Sequence, residues 1–427
     1  MREDFLHYLW KYKKFDFTNA ETTQGEKVLL IDSGTHNFNS GPDFFNARLK
    51  IGEQVWAGNV ELHTKASDWY FHQHEKDRNY DNVILHVVWE DDVEVKRHNK
   101  TAIPALSLKN LVDRDLITGY QKLFASSQSW INCEKSFKYI DDFTLRHWQE
   151  RLYLERLEEK SILIQDLLIK SGNNWEAVLF QMLAKNFGLN LNGDAFLSMA
   201  QSLDFSVIQK ASQNNLQIEA LLFGQCGGLL ERQLNIPYFN QLKKEYAYLS
   251  HKYKLTNSGV IRPKYFRLRP DNFPNIRLSQ LAFLYFKHKN LFSELVALKS
   301  LEGIYSILDV ETSSFWDSHY TFPKEHKERK KALSNAFKDL VLINTIIPLR
   351  FCYSRAIGND EVEELLFLME QIPAENNKIV QNFKKLRENC VGNSLQSQAM
   401  VQLKKMYCEA NKCLDCAIGV KLLQGKA

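Results

Sequence analysis

Residues 41–89 constrain the fold more than any other stretch, because they combine a hairpin pattern with an almost uninterrupted apolar run. Apolar and polar residues alternate over residues 44–51, which predicts a half-buried strand. Gly52 and Glu53 suit a two-residue turn, and residues 55–63 form the returning strand. Residues 83–89 are interrupted only by His86, as is typical of a strand covered on both faces.

The remaining pattern divides the chain into two parts. Residues 5–14 carry an apolar stripe at helical spacing, and residues 27–31 and 102–108 are short strand candidates. Beyond about residue 141, apolar residues recur at three and four positions, which predicts a series of helices. The sequence thus predicts an α+β protein with an α/β domain over residues 1–135 and a large, mainly helical region over residues 136–427.

Composition sets limits on the class of protein. Lys and Arg total 55 against 51 Asp and Glu, so the formal charge of +4 excludes a strongly basic coat but leaves room for a local basic groove. The N-terminus has no secretory signal pattern, and the chain has no apolar run of about 18 residues that could span a bilayer. We therefore expect a cytoplasmic protein with no membrane partner. The sequence does not indicate the oligomeric state.

Three residues around the hairpin form a candidate catalytic site. Asp43 enters the first strand after a Gly-Pro turn, and the alternation places Glu61 and His63 on one face of the second. Carboxylates of this kind bind Mg²⁺ or Mn²⁺ through oxygen, and His63 would orient or deprotonate the attacking water. The alternative is that Asp43 only ends a turn and that Glu61 and His63 line a solvated strand face.

A second set of possible ligands follows in the next loop. His72, His74 and Asp77, with His63 nearby, suit Zn²⁺, Mn²⁺ or Fe²⁺, or they serve only as hydrogen-bonding loop residues. His86 lies inside an apolar strand and is predicted to be a core histidine rather than a ligand.

The seven cysteines do not resemble an extracellular disulfide framework. Cys408, Cys413 and Cys416 are clustered with the spacing of a metal clip, and Cys390 is the nearest candidate for a fourth ligand. Zinc and an iron–sulfur cluster both fit this set. The alternative is a helix end with buried thiols.

One basic stretch is a candidate for nucleic-acid binding. It interleaves aromatic residues with five cations, namely Arg262, Lys264, Arg267, Arg269 and Arg277. Cations neutralise phosphates and aromatic rings stack on bases, so DNA or RNA is the expected partner. The alternative is that these arginines brace neighbouring helices.

Several long motifs carry a resemblance to a known family. The segments GPDFFNARL, WAGNVELH, SDWYFHQHEKDRNYDNVILHVV, RLRPDNFPNIRLSQLA and YCEANKCLDCAIG resemble those of domain-of-unknown-function family 2851, a family of uncharacterised bacterial proteins. This resemblance covers almost the whole chain and implies little about activity.

The N-terminal part also loosely resembles the PD-(D/E)xK nuclease superfamily, whose core is a helix, a hairpin with the acidic residues, a connecting helix and a further strand. The resemblance implies a restriction-endonuclease-like domain in which Asp43 and Glu61 are the conserved acids and Glu3 is a further acid from the first helix. It also implies that His63 stands at the usual lysine position, and that an iron–sulfur clip of the kind found in some of these nucleases is possible at the cysteines.

These observations predict a metal-dependent nucleic-acid phosphodiesterase. One alternative is a non-catalytic nucleic-acid-binding or assembly protein with a degenerate nuclease fold, which the missing lysine favours. Another alternative is a histidine-rich metalloenzyme that acts on a small molecule, centred on His63, His72 and His74.

Overall fold

The computed structural model describes residues 1–125 and 129–425. The chain forms two compact units, and the first contains Met1–Trp148, Lys385–Arg387 and Leu403–Ala427. The second contains Gln149–Lys384 and Glu388–Gln402. Within the described ranges, no helix is both long enough and apolar enough to cross a membrane.

The first unit is built on a mixed six-stranded sheet. After the helix α1 (Glu3–Lys11), the strands are β1 (Val28–Asp32), β2 (Thr35–His36), β3 (Phe44–Ile51), β4 (Gln54–Lys65), β5 (Val83–Glu90) and β6 (Ala105–Ser107). The main strand order is β1-β3-β4-β5-β6, and β2 pairs with the end of β3. Strands β1, β3 and β4 are antiparallel, whereas β5 runs parallel to both β4 and β6.

The predicted hairpin is confirmed. Ile51 of β3 pairs with Gln54 of β4, so the turn consists of Gly52 and Glu53. Gly52 has a φ of +58°, a left-handed conformation that glycine adopts without a steric penalty. The pairing register shifts between Phe44 and Ala47, and such bulges commonly re-aim side chains beside functional sites.

Both faces of the central strands are covered. One face carries Val60 and Leu62 and shares a core with Leu6 and Trp10 of α1. The opposite face is covered by the connection between β4 and β5, which contains α2 (Asp68–Phe71) and the 3₁₀ turns His74–Lys76 and Arg78–Tyr80. The polar side chains of β4 therefore lie in the protein interior, and the solvated-face alternative for Glu61 and His63 is wrong because these residues are 4% and 1% exposed.

The rest of the chain is mainly helical, which confirms the α+β class. The helices after the sheet are α3 (Arg114–Phe124), α4 (Asp142–Lys170), α5 (Trp175–Phe187), α6 (Leu189–Gln201), α7 (Phe205–Ala211), α8 (Asn215–Gln225), α9 (Pro237–Tyr253), α10 (Pro274–Lys287), α11 (Leu291–Ala297), α12 (Leu301–Ile307), α13 (Asn335–Val341), α14 (Ile347–Ala356), α15 (Val362–Gln371), α16 (Lys378–Leu386), α17 (Ser394–Gln402) and α18 (Ala417–Leu423). Shorter elements are the strands β7 (His319–Thr321) and β8 (Lys324–Glu325), the 3₁₀ turns Phe137–Tyr139, Pro270–Asn272, Ser314–Asp317 and Glu388–Cys390, and the π-helical turns Leu342–Ile346 and Leu403–Cys408.

Leu62→Ala should test the packing of α1 on the sheet. Leu62 is fully buried, so its truncation should lower the free energy of unfolding by about 2–5 kcal/mol. Leu29→Ala is the matched control, because Leu29 also lies in a strand but is 55% exposed, and it should cost less than about 1 kcal/mol. Urea unfolding monitored by circular dichroism measures both values. Equal losses would contradict this packing.

Candidate metal centre

Asp43 and Glu61 are held together by an exchange of backbone hydrogen bonds. The Asp43 backbone N–H donates to Glu61 Oε2 at 3.0 Å, and the Leu62 N–H donates to Asp43 Oδ2 at 3.0 Å. Each carboxylate thus accepts a hydrogen bond from the strand that carries the other. The exchange fixes both side chains at the point where β3 and β4 meet, as the sequence pattern predicts.

A row of histidines lies beside this pair of carboxylates. His63 Nδ1 is 2.8 Å from His86 Nε2, and His63 Nε2 is 3.1 Å from His72 Nδ1. Glu61 Oε1 lies 3.3 Å from His74 Nε2 and 3.6 Å from His63 Nε2. Glu61 therefore contacts the Asp43 backbone through one oxygen and two imidazoles through the other.

His86 is fully buried, as expected, and it orients His63. Only one of the two facing nitrogens carries the shared hydrogen. When His63 donates through Nδ1, its Nε2 keeps a lone pair directed at His72 and Glu61. Metal-binding histidines have this arrangement, in which one nitrogen donates to a neighbour and the other binds the ion.

Helix α1 brings a second set of polar groups to the same place. His7 Nε2 lies 3.1 Å from Asp43 Oδ2 and 3.7 Å from Glu3 Oε1. Glu3 and His7 are four positions apart, so they lie on one side of the helix, next to its apolar stripe. His7 was not among the residues predicted from the sequence, although its spacing from Glu3 is a signal that points to it.

Two groups of side chains meet the distance requirement for binding one ion each. Ligand atoms of His63, His72 and His74 lie within 4.8 Å of one another, and so do those of Glu3, His7 and Asp43. Glu61 contacts both groups, since it reaches His63, His74 and the Asp43 backbone. The site is therefore a continuous set of nitrogen and oxygen atoms that could bind metal, contributed by α1, by Asp43 just before β3, by β4 and by the β4–β5 connection.

The β4–β5 connection positions His72 and His74 by packing. The His74 ring stacks on Tyr80 with centroids 3.9 Å apart, and Trp69 packs edge-on against both rings. Asp77 does not join either ligand group. Its carboxylate accepts a hydrogen bond from the Asn79 backbone N–H and caps the following 3₁₀ turn.

Burial controls the charges in this site. It raises the pKa of Glu61 from 4.5 to about 9, with the Asp43 charge acting in the same direction. Burial lowers the pKa of His63 to about 2 and that of His86 to about 3, and in both cases neighbouring histidines add to the effect. Without a cation, Glu61 is therefore protonated and these imidazoles are neutral at pH 7.

In the group formed by Glu3, His7 and Asp43, burial and neighbouring charges affect the pKa values differently. Burial raises the pKa of Glu3, and the Asp43 charge raises it further. Burial opposes protonation of His7, but the neighbouring Asp43 carboxylate outweighs it, so the pKa of His7 is raised. The Asp43 carboxylate thus favours protonation of His7 in the metal-free protein.

The clustered cysteines lie beside Cys133 and not beside Cys390, which the sequence had suggested. Cys408, Cys413 and Cys416 line one cavity together with Cys133. Cys390 lies in the second unit, where its carbonyl accepts a hydrogen bond from the Gln149 side chain. Cys133 is isolated in the sequence, and the sequence contains no signal that pairs it with residues about 280 positions away.

The cysteine side chains of this cavity interact electrostatically. Burial raises the pKa of the Cys133 thiol, and charge on Cys408, Cys416 or Cys413 would raise it further. Burial likewise raises the pKa of Cys416 to about 12. The described cysteines form no disulfide bond.

The basic stretch lies in the second unit, and its members differ in exposure. Arg262, Lys264, Arg267 and Arg269 are exposed, and Arg262 pairs with Glu231. Arg277 is buried, donates hydrogen bonds to Gln280 and Asn272, and stacks over Phe337. The Arg277 guanidinium therefore braces helix α10 and is not presented to solvent.

Glu61→Gln should change how stability depends on pH in the metal-free protein. The folded-state pKa of about 9 lies above the ordinary value of 4.5. The associated stability is complete below pH 4.5 and is lost as the pH rises towards 9. Between about pH 7 and 9, where His63 and His86 are neutral in both states, wild-type stability should fall relative to Glu61→Gln by at most about 1.4 kcal/mol per pH unit.

Urea unfolding in the presence of a chelator measures this difference. Glu53→Gln is the matched control, because the Glu53 carboxylate is exposed in the hairpin turn and its removal should leave the wild-type pH slope unchanged. If the free energy of unfolding varied with pH in the same way for wild type and Glu61→Gln, the pKa of Glu61 would not be raised.

Comparison with known proteins identifies the family and nothing narrower. No curated protein and no solved structure matches the chain. A family model described as "Protein of unknown function (DUF2851)" matches residues 3–378, which confirms the predicted family. The cysteine motif at residues 407–419 lies outside that match. The chain therefore belongs to the DUF2851 family.

Proposed function

We propose that this protein is a metal-dependent phosphodiesterase that hydrolyses nucleic acid. The observation that carries the proposal is the position of Glu61, which contacts His74 of one ligand group and accepts a hydrogen bond from the backbone of Asp43, a member of the other. A buried carboxylate between two sets of metal ligands is suited to bridging two ions. Pairs of ions about 3.5–4 Å apart clamp the attacking and leaving oxygens in many phosphodiesterases.

The order of elements supports this proposal. Helix α1 is followed by the antiparallel strands β1, β3 and β4, a short helical connection, and β5 parallel to β4. The PD-(D/E)xK resemblance implies this order. The same resemblance assigns the acids of the helix and the hairpin to Glu3, Asp43 and Glu61, which lie in α1, just before β3 and in β4.

The ligand types fit a transition metal better than Mg²⁺. The Glu3, His7 and Asp43 group offers two carboxylates and one imidazole, and the His63, His72 and His74 group offers three imidazoles. Imidazole favours transition metals such as Fe²⁺ or Zn²⁺, and carboxylates suit both Mn²⁺ and Mg²⁺, but Mg²⁺ also keeps several of its waters. A divalent ion at this site would supply an activated water and neutralise charge on the phosphate. Mn²⁺ suits the mixed set best.

The environment of His63 favours a ligand role over the water-activating role suggested by the sequence. A general base works best with a pKa near the working pH, whereas burial lowers that of His63 to about 2. Both ring nitrogens of His63 also lie close to other imidazoles. The histidine at the usual lysine position would thus bind an ion instead of supplying a positive charge.

A cavity beside α1 supports a nucleic-acid substrate. It has a volume of about 230 Å³ and is lined by His7, which contacts Asp43. Cations and aromatic rings line the same cavity, among them Arg2, Lys11, Lys412, Tyr12 and Phe38, with Asp4 and Asp415 also present. Cations neutralise the phosphate backbone and exposed rings such as Phe38 stack on bases, which suits a single strand.

The small-molecule metalloenzyme is the second candidate. Burial of His63 and Glu61 beneath the β4–β5 connection favours it, because a polymer reaches a buried ion less easily than a small phosphate ester does. The third candidate is a non-catalytic nucleic-acid-binding protein with a degenerate nuclease fold, which would use only the cavity beside α1. A cytoplasmic location is part of the proposal in all three cases.

Asp43→Asn and Glu61→Gln should each abolish cleavage supported by Mn²⁺. Both replacements keep an oxygen that accepts the backbone hydrogen bonds at 3.0 Å, so the local fold should persist while the charge is lost. Rates should fall by about 10² or more, as expected for the loss of a charged group that stabilises the transition state. Labelled single-stranded and double-stranded DNA and RNA, with each ion tested separately, provide the assay.

Glu53→Gln removes an equivalent charge from the turn of the same hairpin and should retain full activity. Cleavage that persists in both site variants would overturn the proposal. Binding of nucleic acid without cleavage under any ion would indicate the degenerate binder. Hydrolysis of a small phosphodiester but of no polymer would indicate the small-molecule enzyme.

Lys11→Ala should weaken nucleic-acid binding in a salt-dependent way. If Lys11 contacts one phosphate, its loss should reduce the slope of log affinity against log salt by roughly 0.7–0.9. Lys27→Ala is the matched control, because Lys27 is exposed and does not line the cavity. Fluorescence anisotropy with a catalytically inactive background measures the slope. An unchanged slope for Lys11→Ala would place the substrate elsewhere.

A further inference from the structure

Four cysteines from two distant stretches of the chain surround one cavity in the first unit. Cys133 lies between α3 and α4, whereas Cys408, Cys413 and Cys416 lie at the C-terminal end. The other three cysteines, Cys226, Cys352 and Cys390, lie in the second unit. Four of seven thiols are thus concentrated in one place, which ordinary apolar packing does not require.

The local backbone holds these cysteines in position. Cys408 ends the π-helical turn Leu403–Cys408, and Cys416 is the residue before α18. The Asn132 side-chain amide donates to Cys413 Sγ at 3.3 Å, which links the two stretches. A Cβ atom at Gly419 would clash with the Cys413 carbonyl oxygen, so only glycine allows α18 to pack this closely.

The surroundings suit a negatively charged group. Lys412 lines the cavity, and although burial raises the pKa of Cys408, the charge of Lys404 acts in the opposite direction. Leu123, Leu403 and Ile418 complete the wall and shield the sulfurs from water. A thiolate-bound metal group carries negative charge, and cations at the edge of an apolar wall compensate it.

The spacing of the sulfurs argues against a single ion held by three or four of these cysteines. Zn²⁺ holds thiolates at about 2.3 Å in a tetrahedron, which places the sulfurs about 3.8 Å apart. No three of these four described cysteines have their sulfurs within 4.8 Å of one another. A cluster of several irons spreads its four cysteine ligands more widely than one ion does.

We propose that Cys133, Cys408, Cys413 and Cys416 bind an iron–sulfur cluster. Cys133 replaces Cys390 as the fourth ligand. The cluster ties the C-terminal segment to the stretch that follows α3. This proposal does not depend on the proposed phosphodiesterase activity, because it involves none of the residues of the candidate metal centre.

Metal analysis of the full chain, purified without oxygen, tests the proposal directly. Iron and acid-labile sulfide should be present in equal amounts, with at least two of each per chain, together with the broad visible absorption of sulfur-to-iron charge transfer. Cys133→Ser should lose both the iron and the absorption. Cys390→Ser is the matched control, because Cys390 is also buried, and it should keep the wild-type content.

Three outcomes would overturn the proposal. They are one zinc per chain with no sulfide, no bound metal even after anaerobic reconstitution, and unchanged iron in Cys133→Ser. If Cys133→Ser does not fold, Cys413→Ser provides the same test, because a serine hydroxyl can accept the Asn132 hydrogen bond. The wild-type metal content is informative whatever the variants do.

Discussion

The buried carboxylate of Glu61 is the constraint on which the rest of the first unit depends. An ionised carboxylate removed from water is costly unless cations or hydrogen bonds compensate it. The Asp43 backbone supplies one hydrogen bond, but Asp43 adds a negative charge, and the nearby His63 is neutral. Proton uptake by Glu61 relieves this cost in the metal-free protein, and a divalent cation would relieve it by displacing that proton. A metal ion bound here would therefore compete with a proton for the same oxygen atoms.

The elements around Glu61 are arranged to maintain this burial. Helix α1 covers one face of β4, and Trp69 with Tyr80 covers the other. The pairing register shifts between Phe44 and Ala47 in β3, next to Asp43, and between Asn59 and Val60 in β4, next to Glu61. Covering both faces is unusual for an antiparallel pair, and it results from the parallel partner β5, which must be reached by a connection that crosses the sheet.

Local patterns in the sequence predicted the parts of this site that depend on local structure. Period-two alternation and the Gly52-Glu53 turn were sufficient to predict the hairpin and to place Glu61 and His63 on one face. These patterns did not show whether that face was solvated. The β4–β5 connection that covers it has no regular alternation of apolar and polar residues from which its position could be predicted. His7 was missed for a related reason, since its role depends on how α1 lies across the strands.

The cysteines show the limit of sequence proximity more clearly. Cys390 was chosen as a fourth ligand because it is nearest along the chain, but it belongs to the other compact unit. Cys408, Cys413 and Cys416 share a cavity with Cys133 because the chain belongs to the first unit again from Leu403 onwards. Periodicity and spacing in a single sequence do not show which distant segments fold into the same unit. Cys133 therefore could not be grouped with the C-terminal cysteines before the fold was known.

The returning segment connects the two proposed centres within the first unit. Lys412 lies between Cys408 and Cys413 and lines both the cysteine cavity and the basic cavity beside α1. A cluster that fixes the cysteines on either side of Lys412 would also fix the position of that cation. Ordering a lysine in advance lowers the entropy that binding must otherwise overcome. The cluster would therefore act on substrate affinity through the position of Lys412, while Asp43 and Glu61 act on the chemistry, so the two centres would contribute separately to one site.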